Sequence, residues 1–223
     1  MAGATITRPL TEGSFVSTSA ERDPVVAPPA APTTWGAGIA DPGPLGLAGF
    51  AGTTFVLSVV NSNLLPMSVV GVVFGLAFFY GGLAQLLAGM WEFTKGNTFG
   101  ALAFSSFGAF WLSFWYLNNN VPKGAKPTDL NHAIGTYLLL WTIFTAYMCI
   151  PALRTTGAIL AVFVTLTLTF LFLAIGAFGA HEDMTKVGGW LGLVTAVLAW
   201  YASLAGVTNA TWKRVVLPTF PLA

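Results

Sequence analysis

A chain of 223 residues in which 55% are hydrophobic and 8% charged departs far from a soluble domain, where about a quarter of residues carry charge. A formal net charge of +1, with no basic run, argues against a nucleic-acid partner. The mean hydropathy of +0.75 points to the lipid bilayer as the solvent.

Residues 1–40 come first and differ in kind from the rest. They are rich in Ala, Pro, Ser and Thr, with Arg8, Glu12, Glu21, Arg22 and Asp23 scattered among them. Such a segment buries too little apolar surface to offset its ordering entropy, so a disordered tail is expected. It lacks the basic start, apolar core and cleavage site of a secretory signal, leaving the first apolar run to direct insertion.

Six apolar runs without Asp, Glu, Lys or Arg follow, at Leu45–Leu65, Val69–Trp91, Phe99–Leu117, Ala133–Ile150, Gly157–Phe178 and Gly188–Val207. Each matches the roughly 17–25 residues that cross a bilayer as a helix, and hydrocarbon leaves backbone N–H and C=O groups no other partner. The expected fold is an all-α membrane protein with six transmembrane helices, one domain over residues 41–218 and a short C-terminal tail at 219–223. An even number of spans puts both termini on one side. That side carries Lys95, Arg154, Lys213 and Arg214, against Lys123, Lys126 and Lys186 opposite, so the positive-inside rule favours cytoplasmic termini.

Small residues at four-residue spacing, Gly71 and Gly75, Ala84 and Ala88, Gly188 and Gly192, suit close helix packing within or between protomers. Trp91, Trp115, Tyr116, Trp190 and Trp212 fall near run ends, as interface anchors do. Cys149 has no disulfide partner in a chain with one cysteine and reads as a small core residue.

Several chemistries have no residues to carry them. No run holds a carboxylate or histidine at membrane depth for a proton relay, nor a lysine for a retinal Schiff base. No His, Cys and carboxylate spacing suggests a metal, and neither His132 nor His181 pairs with a nucleophile. The expectation is a non-enzyme with no cofactor and no metal. What remains is neutral polarity: Thr53, Thr54, Asn61, Gln85, Asn97, Thr98, Ser105, Ser106, Thr165, Thr167 and Thr169. Such groups replace water around a small solute, or they simply bond neighbouring helices. Two helix starts could hold an anion on backbone N–H groups or be ordinary caps. One is Asp41-Pro-Gly-Pro44, with proline suited to a first turn; in the other, Asn97 or Thr98 can cap the third run.

The stretch Asp41-Pro-Gly-Pro-Leu-Gly-Leu-Ala-Gly-Phe50 resembles the Asn-Pro-Ala-Pro-Leu-Gly-Leu signature of the acetate uptake transporter family, whose bacterial members include the succinate–acetate permeases. Its signature positions here are Asp41, Pro42, Pro44, Leu45, Gly46 and Leu47. Matching segments follow in order: Phe79-Tyr-Gly-Gly-Leu-Ala-Gln85, Ala88-Gly-Met-Trp-Glu-Phe-Thr-Lys-Gly-Asn-Thr-Phe-Gly100, Ser106-Phe-Gly-Ala-Phe-Trp111, Leu173-Ala-Ile-Gly176 and Gly189-Trp190. The resemblance covers about Asp41 to Pro218. It implies a homohexamer in which every protomer has its own pathway for acetate and, in some members, succinate. It also implies an apolar narrow point at Phe50, Phe107 and Leu166, flanked by Thr53, Thr54 and Gln85, with Ala199 a wall residue. Asn97 and Thr98 join the substrate path as the start of the third run. Two departures stand out. Asp41 replaces the family's Asn, an acceptor with charge where an amide could donate. Phe107 replaces a common Tyr, which makes the narrow point more apolar.

The reading is a plasma-membrane carrier of acetate and related monocarboxylates, channel-like or proton-linked. If protons are coupled, the undissociated acid or end-located groups such as Glu92 and His132 must carry them. Two alternatives remain: a membrane sensor or assembly protein without appreciable flux, and a channel for another small solute such as ammonia.

Overall fold

The computed structural model describes residues 1–3 and 38–222; the expected disorder of the N-terminal tail falls on residues outside these, apart from a few at its ends. The remainder is a bundle of six helices, each long and apolar enough to span a bilayer: α1 (Gly43–Asn61), α2 (Val72–Thr94), α3 (Thr98–Asn119), α4 (Pro127–Ala152), α5 (Gly157–Gly179) and α6 (Glu182–Trp212).

Local chemistry sets the ends. At α1, Asp41 Oδ1 accepts a hydrogen bond from the Gly43 N–H at 3.1 Å, and proline at the first turn forfeits only a donor that would be unpaired there. Asn97 caps α3 by accepting from the Gly100 N–H at 3.1 Å. Thr156 does the same at α5, from the Ile159 N–H at 3.3 Å. Acidic side chains occupy the first turns of α4 (Asp129) and α6 (Glu182, Asp183), where the positive end of the helix dipole favours them. Left-handed residues close α5 at Ala180 and α6 at Lys213.

The helices form a ring in chain order, each packed on its neighbours, with α6 returning to α1. Only the α3–α4 backbones stand apart, and aromatic side chains fill that gap: Phe110 lies 5.1 Å from Trp141 between ring centroids, and Ser113 and Tyr137 share a hydrogen bond of 2.8 Å. Inside the ring lies a core of Phe50, Phe107, Phe110, Trp111, Trp141, Phe163, Leu166 and Phe170.

The observed helices differ from the apolar runs at their ends. Met67–Val69 is a separate tight turn, so α2 begins at Val72. Helix α4 starts six residues before Ala133, and α6 extends the Gly188–Val207 run in both directions. The added turns are polar, and a helix continues past the hydrocarbon because water satisfies its side chains there. The C-terminal tail is also folded. Phe220 and Thr219 carbonyls accept from the Gly157 and Ala158 N–H groups at 2.7 and 3.3 Å, taking up donors at the start of α5.

Helix α2 contains a further device. Phe79–Ala84 is a π-helical turn, a one-residue insertion that bends the rod and opens its ladder. It carries Gly81 and Gly82, and a Cβ on Gly81 would lie 2.7 Å from Thr53 Oγ1 and 2.8 Å from Trp111 Cδ1. The glycine pair therefore lets α2 sit against α1 and α3 together.

Candidate functional site

Two cavities enter the ring from opposite ends. The first, about 340 Å³, opens among the starts of α1, α3 and α5 and reaches inward past Leu47, Gln85 and Phe104. The second, about 290 Å³, opens at the other end near Asn61, Asn118 and Thr185 and reaches inward past Thr54, Phe110 and Tyr137. Both are lined at their inner ends by Phe50 and Leu166. Phe107 lines the first cavity, with its ring centroid 5.7 Å from that of Phe50. The rings of Phe144 and Phe163 lie 5.3 and 6.0 Å from Phe107 between centroids, and Phe163 lines the same cavity. Phe50, Phe107 and Leu166 are 4%, 3% and 3% exposed. Of the three residues named for the narrow point, Phe50 and Leu166 line both cavities and Phe107 lines the first.

Polar groups flank this apolar neck. Gln85, 1% exposed, lines the first cavity, and its Oε1 has no hydrogen-bond partner among the described residues. Thr54 lines the second cavity, and its Oγ1 is likewise without a partner. Burying an unpaired amide or hydroxyl costs about 1–3 kcal/mol. An empty acceptor on either side of the neck is therefore a place where a passing polar solute or water recovers a hydrogen bond.

The mouth of the first cavity is more elaborate. Asn97 Nδ2 donates to Glu92 Oε2 at 2.9 Å while its Oδ1 caps α3. Gly96, at φ +74°, makes the left-handed turn that brings Asn97 back onto Glu92 only three residues after α2 ends. Asp41, besides holding Gly43, lies 3.9 Å from Lys95 Nζ. Three helix N-termini converge here, with the Gly43, Gly100 and Gly157 N–H groups already bonded to Asp41, Asn97 and Phe220.

Other expected path residues sit elsewhere. Thr53 is buried against α2, its hydroxyl directed at the Gly49 and Leu76 carbonyls at 2.9 and 3.4 Å; it pins the π turn and lines neither cavity. Thr98 is exposed on the outer side of the α3 start. Ala199 is buried in the shared core without reaching either cavity. On α5, Thr165 and Thr167 donate to the Ala161 and Phe163 carbonyls of their own helix, each at 2.8 Å, and Thr165 accepts from the Thr195 hydroxyl of α6 at 2.9 Å; Thr169, which donates to the Thr165 carbonyl at 2.9 Å, does line the second cavity. Glu92 stands in the last turn of α2, at the span end as expected, but is only 2% exposed. Its signal was available in the Glu-x-x-x-x-Asn97 spacing, which places a carboxylate against the next helix cap.

A family model described as the GPR1/FUN34/yaaH family matches residues 26–223. The chain belongs to that family. It is 37% identical over 180 residues to the succinate-acetate/proton symporter SatP of Escherichia coli strain K12, covering 81% of this chain and 95% of that protein. It is 42% identical over 189 residues to ammonia transport outward protein 2 of Saccharomyces cerevisiae, covering 82% of this chain and 67% of that protein. The chain spans about two thirds of the length of its fungal relatives. Among solved structures, the bacterial acetate channel SatP superposes with a TM-score of 0.74 at 36% identity, over 81% of this chain and 99% of that one.

Proposed function

We propose that each protomer conducts acetate and other small carboxylates, succinate among them, between the two vestibules through the neck of Phe50, Phe107 and Leu166. The observation that carries this reading is the pair of cavities meeting at Phe50 and Leu166 with unpartnered polar atoms on either side. An apolar neck opposes hydrated ions by dewetting and admits a solute with a methyl group and one polar end. The undissociated acid suits it best, because the neck holds no fixed charge to receive a bare carboxylate. Names of the family relatives support acetate and proton linkage. The protein works in this reading as a homohexamer in the plasma membrane with cytoplasmic termini, so the first vestibule faces the cytoplasm. Thr54, Gln85 and Asn97 are the polar contacts of the path. No covalent chemistry is involved.

Labelled-acetate influx into proteoliposomes tests the proposal. Saturable influx that increases with an inward proton gradient and falls with a protonophore is expected. Ammonia is the second reading, favoured by the name of the yeast relative; influx of ammonia unaffected by excess acetate, with no acetate uptake, would replace acetate by ammonia. Absence of both fluxes from folded protein would leave the sensor or assembly role.

A further inference from the structure

We infer that Glu92 is the proton-binding site of the first vestibule, taking the proton from each carboxylic acid that crosses the neck in one direction and returning it in the other. This deepens the proposed passage of small carboxylic acids and rests on it.

The geometry around Glu92 is that of a built site. The carboxyl lies in a notch between two helix starts, where neighbouring positions lack side chains. A Cβ on Gly100 would stand 2.8 Å from Glu92 Cδ, and one on Gly43 would stand 3.4 Å from Oε1. Asn97 Nδ2 orients Oε2 at 2.9 Å, which leaves Oε1 as the free oxygen. Glu92 and Asp41 are the titratable side chains that line the cavity among the described residues. A second polar group in the same cavity, the unpartnered and buried Gln85 Oε1, lies on the way to the neck.

The charged groups that face Glu92 pull in opposite directions. Asp41, at the start of α1, lines the same cavity and is a like charge to an ionised Glu92. Lys95, just past the end of the same helix, has Asp41 and not Glu92 as its ion-pair partner, at 3.9 Å. Helix α3 contributes neutral Asn97 and the positive end of its dipole; α5 contributes neutral Thr155 and Thr156. Glu92 therefore has no ion-pair partner of its own among the described residues, and its one side-chain hydrogen bond comes from neutral Asn97.

The step balances simply. An acid that has crossed the neck meets Glu92 as carboxylate; its O–H bond breaks, an O–H bond forms at Oε1, and the acid leaves as an anion among the three helix N-termini. Glu92 then releases the proton to water in the vestibule. The reverse sequence loads an anion with a proton before it enters the neck.

The test is the pH profile of labelled-acetate exchange in proteoliposomes with equal pH on both sides, for the full chain and for Glu92→Gln. Glutamine keeps an oxygen for Asn97 and holds no proton. Without a proton site, exchange should track the undissociated acid in solution, falling roughly tenfold per pH unit above the acid's own pKa. The wild type should fall less than threefold per unit between pH 5.5 and 6.5, and Glu92→Asp should keep the wild-type shape at reduced rate. A Glu92→Gln profile that overlies the wild type overturns the assignment and leaves the transport reading intact; a wild type that exchanges no acetate at any pH removes both. Should Glu92→Gln fail to fold, dicyclohexylcarbodiimide labelling of the wild type decides, because that reagent modifies protonated carboxyls in apolar surroundings. Labelling at Glu92 that acetate protects is expected, and unlabelled Glu92 contradicts the assignment.

Discussion

At the scale of the residue, the decisive features are atoms that are missing. Gly100 has no side chain because Glu92 and Asn97 fill the space beside it: a Cβ would lie 2.6 Å from Asn97 Nδ2 and 2.8 Å from Glu92 Cδ. Gly100→Ala should therefore cost about 1–3 kcal/mol, as overpacking of a filled site does, and appear as a lowered Tm in detergent with the secondary structure unchanged. An unchanged Tm would mean the notch is roomier than these contacts indicate. Part of this was legible in the sequence. Asn97 before a long apolar run is a helix cap on residue type alone, and Pro44 marks a first turn. The contact of Glu92 with the α3 cap was legible in its spacing to Asn97, but its burial was not, because a glutamate at the end of an apolar run, three residues before a lysine, looks like any interface residue. Only the fold shows that α1 begins directly above it. The departure of Asp41 from the family's Asn likewise has a structural consequence that sequence left open: it is a helix-start acceptor, a partner for Lys95 and a lining residue together.

At the scale of the element, the π turn of α2 positions the most. Its extra residue turns Gln85 into the first vestibule and directs Gly81 and Gly82 at α1 and α3. Gly81→Val should break this three-helix junction, since its branches would add to a Cβ already within 3 Å of Thr53 and Trp111. The expected loss is about 3 kcal/mol or more, read as aggregation or lost assembly on size exclusion; normal assembly would show that α2 can slide outward. Hydropathy located all six helices because the bilayer imposes length and apolarity on every span. It misplaced their ends for the same reason, since a helix is not obliged to stop where the lipid does: Glu182 and Asp183 begin α6 and stabilise its dipole outside the apolar run. The π turn escaped because one inserted residue leaves hydropathy unchanged, although Gly81-Gly82 within an apolar run was the available hint. Thr53, expected beside the solute, instead faces α2, with the Leu76 carbonyl just before this turn 3.4 Å from its hydroxyl and Gly81 of the turn packed against it.

At the scale of the whole molecule, six helices in a ring enclose two half-channels whose inner ends share Phe50 and Leu166. In the proposed pathway this neck sets which acids pass. Leu166 is the residue to change: it lies on both sides, buried, and its truncation opens volume without removing a polar contact. The measurement is labelled influx of acetate, propionate and butyrate into proteoliposomes for the wild type and Leu166→Ala, with thermal melting to establish that the variant folds. The account predicts that the butyrate-to-acetate ratio rises about tenfold or more, as expected when roughly 1.4 kcal/mol of steric exclusion is removed, while acetate influx is kept or increased. An unchanged ratio in a folded, acetate-conducting variant would contradict it, and would move the selective barrier away from Phe50, Phe107 and Leu166.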